Sequence, residues 1–101
     1  MPTPIWEILR SLASVLHWLG KFEEMQILSS LAKLCQSRDL HDRQQLDKFV
    51  DEQCLDAKSL QLEHEGTKLF RCPMQDCQYW ATVEQNTIYH LSTVHGFKRQ
   101  S

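Results

Sequence analysis

Residues 72–95 read CPMQDCQYWATVEQNTIYHLSTVH, a stretch that contains two cysteines and two histidines. Their spacing is Cys72-x4-Cys77-x12-His90-x4-His95. Each gap lies within the range of a structural zinc site, in which two thiolates come from a tight turn and two imidazoles from successive turns of one helix. The spacing therefore predicts one structural Zn²⁺ ion, held by these four side chains.

The sequence around the four ligands predicts two strands followed by a helix. We expect the strands at about residues 68–71 and 79–81 and the helix over residues 83–95. The helix is expected to begin at a capping box, in which Thr82 accepts a hydrogen bond from a backbone amide and Gln85 reaches back to the cap. This order places the two cysteines at the turn between the strands and the two histidines on the helix.

The segment from Phe70 to Gly96 resembles a eukaryotic-type Cys2His2 zinc finger, through FRCPMQDCQY at its start and HLSTVHG at its end. The resemblance covers residues 68–97 and implies a ββα fold with zinc at its centre. Two positions depart from the family's pattern, because Ala81 stands where an aromatic residue is usual and Thr87 where a leucine is usual. A finger with two such small core residues is expected to dock against the rest of the chain or against a partner.

The remainder of the chain predicts helices, because its apolar residues recur at helical spacing. A first helix is expected over residues 4–19, with Thr3 as its cap and Pro4 in its first turn. A second is expected over about 21–36, and the short link through Gly20 predicts an antiparallel hairpin. The apolar stripe of the first helix comprises Ile5, Ile8, Leu9, Leu12, Leu16 and Leu19.

A third helix is expected from residue 40 or 43 to residue 62, with one acidic, solvated side. Three large apolar residues, Trp6, Trp18 and Ile27, lie outside the main stripes of the hairpin. Two interpretations of them remain open: they pack against the third helix or the finger, or they form a surface for self-association or for a partner. The apolar side of the third helix comprises Leu46, Phe49, Val50, Cys54, Ala57 and Leu60.

The predicted fold class is therefore mainly α. Residues 1–66 are expected to form a three-helix interaction or dimerisation module, a helical hairpin plus the acidic third helix, and residues 67–101 one ββα zinc finger. The first part carries seven basic and eleven acidic side chains, and the second part carries four basic and two acidic ones, so neither is a strong polyelectrolyte.

No secretory signal or apolar run of about 20 residues is present, so we expect an intracellular protein without a membrane partner. The finger resemblance favours the nucleus over the cytoplasm.

Two functions are open. The first is a small adaptor or regulatory subunit that binds a protein partner or a second copy, with candidate contact residues Trp6, Trp18, Tyr79, Trp80, Ile88 and Tyr89. The alternative is a DNA- or RNA-binding regulator, dimerised by the helices, with candidate contact residues Gln85, Asn86, Lys98 and Arg99. In DNA-binding fingers the base-contact positions would correspond to Val83, Asn86 and Tyr89. No lysine or arginine occurs from residue 72 to residue 97, which favours the adaptor.

Catalysis is not expected from this sequence. Four protein ligands leave a zinc ion no open position for water or substrate. The chain has no phosphate loop, nucleophile elbow or dinucleotide fingerprint, so no small-molecule substrate is expected either. The histidines outside the zinc pattern have no second metal-binding or acid–base residue at the spacing that such a site requires. Cys35 and Cys54 are expected to be buried free thiols.

Overall fold

The computed structural model describes residues 2–53, 61–74 and 76–97. Within these ranges the chain forms four helices and a three-stranded antiparallel sheet, so the fold is mainly α, as predicted. None of the described helices is long and apolar enough to cross a membrane. The elements are α1 (Ile5–Trp18), α2 (Phe22–Ser37), α3 (Arg43–Gln53), β1 (Gln61–His64), β2 (Thr67–Arg71), β3 (Trp80–Ala81) and α4 (Glu84–Val94).

Helices α1 and α2 form the predicted hairpin. The turn contains Gly20 at φ +73°, a left-handed conformation that glycine adopts without a Cβ clash. The predicted cap of α1 is wrong, because Pro4 is the N-cap residue and no side chain caps the helix. The amide of Ile5 donates instead to the carbonyl of His41, 2.9 Å away, so the segment before α3 holds the start of α1.

Only one side of α1 is buried. Three residues of the predicted apolar stripe, Ile8, Leu12 and Leu19, are 49%, 49% and 65% exposed. The reason is that apolar residues cover about half of the circumference of this helix, more than one packing partner can bury. The side that contacts the rest of the protein comprises Ile5, Trp6, Leu9 and Ala13.

The predicted third helix is too long. The described part of α3 ends at Gln53, and Gln61–His64 is strand β1, so the prediction of helix through residue 62 is wrong. In β1 burial alternates as in a strand, with Leu62 buried between two exposed neighbours. A two-residue turn at Glu65 and Gly66, with φ 50° and 78°, then leads into β2. The predicted apolar positions Cys54, Ala57 and Leu60 lie outside the described residues.

The sheet has two faces with different roles. β1 pairs with β2 so that Leu62 lies opposite Leu69, and β2 pairs with β3 so that Arg71 lies opposite Trp80. Residues opposite one another share a face and neighbours along a strand alternate. We call the face that carries these four residues the helix-side face, and the face with Phe70, opposite Ala81, the zinc-side face.

One hydrophobic core joins the helices to the helix-side face. Arg71 extends this contact, because its guanidinium lies 3.1 Å from the carboxylate of Asp51 on α3. The division into residues 1–66 and 67–101 stays a prediction, and its boundary falls in the turn between β1 and β2. The buried core comprises Leu9, Ile27, Leu31, Ala32, Leu34, Cys35, Leu46, Val50, Leu62, Leu69 and Trp80.

The three apolar residues with two open interpretations have different environments. Ile27 is buried in the core, and Trp6 is half-buried against it, with its ring centroid 4.9 Å from that of His41. Trp18, in contrast, is 88% exposed. Packing therefore accounts for Ile27 and Trp6, and Trp18 is available for contact with another molecule.

Candidate metal centre

The four predicted ligands come from the segment between β2 and β3 and from α4. Cys72 directly follows β2, and Cys77 ends the turn that leads towards β3. His90 lies within α4, and His95 is the C-cap residue of that helix. The sheet therefore supplies the two thiols and α4 the two imidazoles, as the spacing predicts.

The distances between the ligand atoms fit one zinc ion. The four atoms all lie within 4.8 Å of one another. The Sγ atom of Cys72 lies 3.4 Å from Nε2 of His95, and the Sγ atom of Cys77 lies 3.2 Å from Nε2 of His90. With Zn–S bonds of about 2.3 Å and Zn–N bonds of about 2.05 Å, a tetrahedron separates sulfur from nitrogen by about 3.5 Å. The donor set and its spacing are therefore consistent with one structural Zn²⁺ ion.

Backbone hydrogen bonds fix the two cysteines. The amide of Cys72 donates to the carbonyl of Tyr79 at 3.0 Å, which continues the pairing of the two strands beyond their ends. The amide of Cys77 donates to the carbonyl of Met74 at 3.2 Å. Asp76 adopts φ 65°, the left-handed conformation that aspartate tolerates better than most residues. These bonds hold both thiols on the same side of the turn.

The end of α4 places His95 beside His90 although five residues separate them along the chain. The amide of His95 still donates to the carbonyl of Leu91, 3.2 Å away. Gly96 follows at φ +70°, which reverses the chain so that the amide of Phe97 reaches the same carbonyl at 3.2 Å. His95 therefore sits in a turn that closes the helix and not in a regular helical position.

The start of α4 differs from the prediction. Val83, in an extended conformation, is the N-cap residue, and no side chain caps the helix, so the predicted capping box of Thr82 and Gln85 is wrong. The amide of Asn86 donates to the carbonyl of Val83 at 3.1 Å. The helix begins at Glu84, one residue later than a cap at Thr82 requires.

The environment of His90 favours its metal-binding form. Tyr79 stacks on its imidazole, with ring centroids 3.9 Å apart and planes 5° from parallel. Burial, and to a lesser degree the neighbouring His95, lowers the pKa of His90. Since zinc binds the neutral imidazole, this shift reduces competition from protons at His90.

The pKa of Cys72 shifts in the direction that opposes metal binding. Burial is the main cause that raises the pKa of this thiol, and the nearby Cys77 adds to it. The metal-free site therefore holds its proton on sulfur at neutral pH, and zinc must displace that proton.

We predict that zinc affinity rises with pH through the neutral range and that binding releases protons, including the one on the Cys72 thiol. Zinc affinity rises because zinc binds thiolates, and thiolates become more abundant as the pH increases. Titration calorimetry in two buffers of equal pH but different ionisation enthalpy counts the released protons. Zinc binding without proton release would contradict thiolate ligation.

The two small core residues of the finger are both buried. Ala81, on the zinc-side face, and Thr87, on α4, stand where the zinc-finger family has an aromatic residue and a leucine. Trp80, next to Ala81, points to the helix-side face and enters the core shared with the helices. The finger therefore has a small side chain, Ala81, on its zinc-side face and a large one, Trp80, on its helix-side face.

The structure distributes the other candidate contact residues over different environments. Trp80 is buried, Tyr79 and Ile88 are half-buried, and Tyr89 is 69% exposed. Gln85 is exposed, whereas the Nδ2 of Asn86 donates to Oε1 of Glu23 at 2.9 Å. Lys98 and Arg99 lie outside the described residues.

The sequence did not predict that Glu23 contacts the finger. It lies on the first turn of α2, 63 residues before Asn86, and it bonds to the start of α4. Burial raises the pKa of Tyr79, with the charges of Glu23 and Glu24 as further causes. No local pattern marks such a contact, because acidic residues in the first turn of a helix are common.

Comparison of the chain with protein-family models, curated proteins and solved structures finds no match. The likeness to a Cys2His2 finger therefore rests on the four ligands and on the ββα-like arrangement of β2, β3 and α4.

Proposed function

We propose that the chain is a zinc-stabilised protein-interaction module, an adaptor or regulatory subunit without catalytic activity of its own. The observation that carries this proposal is the exposed apolar side of α1. Four residues, Ile8, Leu12, Val15 and Leu19, each leave about half of their surface or more in solvent. We call these four residues the α1 outer face. Contiguous exposed apolar patches of this kind mark interaction sites.

The zinc site has a structural part in this proposal. Its two cysteines flank strands whose helix-side face carries Leu69 and Trp80, and these residues complete the core beneath α2 and α3. A metal that holds the strands in place also supports the helices.

We include an intracellular location, nucleus or cytoplasm, in the same proposal, because a reducing compartment keeps Cys72 and Cys77 available as metal ligands.

The contact between α4 and α2 counts against the alternative, a nucleic-acid-binding regulator. Asn86, the best base reader among the three finger positions, is already bonded to Glu23. A duplex approaching this edge would bring phosphates beside the carboxylates of Glu23 and Glu24, and the described part of the finger offers only Lys68 and Arg71 as cations. Arg71 is itself paired with Asp51. Nucleic-acid affinity depends on several free cations, so this surface is poorly suited to it.

We predict no salt-sensitive binding of the zinc-loaded chain to mixed-sequence duplex DNA or to single-stranded RNA at micromolar concentration. Fluorescence anisotropy at two salt concentrations is the measurement. Tight binding that weakens with salt, and that Asn86→Ala abolishes, would contradict the adaptor proposal and support the regulator.

A photo-crosslinking amino acid tests the proposed function directly. Placed at Leu12, on the α1 outer face, it is expected to capture a protein in cells, and the product is identified by mass spectrometry and reconstituted from purified components. The matched control is the same amino acid at Ser14, an exposed position on another side of the same helix. Equal capture at both positions, or capture of no protein at Leu12, would overturn the proposal.

A further inference from the structure

We propose that a second copy of this chain covers the α1 outer face, so that the protein is a homodimer through α1. This inference rests on the proposed function, because it names the partner of the surface that carries that function. Three properties of the face support a second copy: the spacing of its residues, its lack of charge and its area.

The spacing of the face is that of a coiled-coil seam. Ile8, Leu12, Val15 and Leu19 follow one another at intervals of four, three and four residues, the alternation of the d and a positions of a heptad. With a rotation of about 100° per residue, these four positions fall within an arc of about 60°. Such a narrow stripe suits a single helix that lies along it, and α2 already occupies the neighbouring side of α1.

The lack of charge favours self-association over a charged partner. Ser11 and Trp18 border the stripe on one side, and the core-facing residues of α1 border it on the other. The two ionised side chains of the described helix, Glu7 and Arg10, lie outside both borders. A two-fold dimer brings each part of a surface against its own copy, where like charges would repel. This uncharged stripe can meet itself without that penalty, whereas an acidic or basic partner would find no complementary charge here.

An antiparallel arrangement of the two α1 helices satisfies the spacing. A two-fold axis between Leu12 and Val15 places Leu12 of one copy against Val15 of the other, and Ile8 against Leu19. All four residues of the face then find an apolar partner. The helix dipoles also run in opposite directions, which is the favourable orientation for neighbouring helices.

A dimer also needs enough area, about 800 Å² per partner in a standard interface. The four residues of the face are 49% to 65% exposed and Trp18 at its border is 88% exposed, so five large apolar side chains are available for burial. Trp18 is the most exposed of the large apolar residues in the described chain. Tryptophan is enriched among the residues that dominate binding energy, so this side chain supplies an anchor at the edge of the seam.

Sedimentation velocity of the purified, zinc-loaded full chain tests the proposal, at concentrations up to about 200 µM, which populate a dimer of micromolar dissociation constant. We expect a dimer for the wild type and at least a tenfold weaker dimer for Leu12→Glu, because the substitution buries a carboxylate in the seam. The matched control is Ser14→Glu, which adds the same charge at an exposed position outside the seam and is expected to leave the dimer intact. Circular dichroism of both variants checks that they fold alike.

Two outcomes would overturn the homodimer: a wild type that stays monomeric over this range, or equal effects of Leu12→Glu and Ser14→Glu. The crosslinking experiment separates this failure from failure of the proposed function. A monomer that still crosslinks from Leu12 to a different protein excludes the second copy and keeps the interaction module. A monomer without any specific crosslink at Leu12 excludes both.

Discussion

Replacing Cys72 with alanine is expected to abolish stoichiometric zinc binding and to unfold the finger. Structural zinc contributes about 10–16 kcal/mol to the folding of such units, more than the net stability of about 5–15 kcal/mol of a typical domain. A site with three ligands keeps only part of that energy. In addition, the side chain of Cys72 is fully buried, so its removal leaves a cavity beside the strands.

Cobalt substitution measures this effect, because tetrahedral thiolate coordination produces visible absorption bands that depend on the two sulfurs. The matched control is Cys35→Ala, which removes a buried cysteine of α2 outside the ligand cluster. Burial raises the pKa of Cys35 to about 11, so its thiol stays protonated and does not compete for metal. We expect full cobalt and zinc binding in this control. One equivalent of tightly bound zinc in Cys72→Ala would exclude the proposed ligand set.

Replacing Trp80 with alanine is expected to destabilise the helices as well as the finger, by about 3–5 kcal/mol. Trp80 is buried and shares one core with residues of α1, α2 and α3. Its removal opens a cavity between the sheet and the helices and removes the apolar contacts that Trp80 makes there. A loss of this size approaches the whole stability expected of a small domain.

Urea denaturation followed by far-ultraviolet circular dichroism reports on the helices that Trp80 supports. Tyr89→Ala is the matched control, because it removes another aromatic side chain of the finger that is mostly exposed. Its effect on the free energy of unfolding is expected to stay within about 0.5 kcal/mol. If the two substitutions had the same small effect, the sheet and the helices would not share a core.

The metal centre was predictable from sequence because its signal is local. The spacing of Cys72, Cys77, His90 and His95 reflects the geometry of one turn and one helix, and the structure brings the four ligand atoms together. The helical hairpin was predictable for a similar reason, since a periodic apolar pattern ending at Gly20 requires no knowledge of distant residues.

The features that sequence did not predict depend on distant partners. Strand β1 forms because Leu62 pairs with Leu69 across a turn and packs on the helices, although the sequence pattern alone predicts a helix through residue 62. Tertiary contacts override propensity in such short segments. The hydrogen bond between Glu23 and Asn86 likewise joins two helices that are far apart in the chain.

The choice between the two apolar sides of α1 was also beyond the sequence. Leu9 and Leu12 have the same chemistry and lie on the same helix, yet only Leu9 is buried. Which side faces α2 follows from the packing angle of the hairpin and from the position of α3, and neither is encoded in the periodicity of α1 alone. The exposed side is therefore a finding of the structure, and it is the one that carries the proposed function.

We expect zinc, held by residues of the finger, to stabilise the helices through one shared core. Amide hydrogen exchange of the full chain with and without zinc tests this most directly, read at the buried segment of α2 that contains Leu31 and Cys35. We expect chelation of zinc to remove protection from these amides together with those of β2 and α4. Unchanged protection in α2 after zinc is removed, with loss confined to the finger, would contradict it.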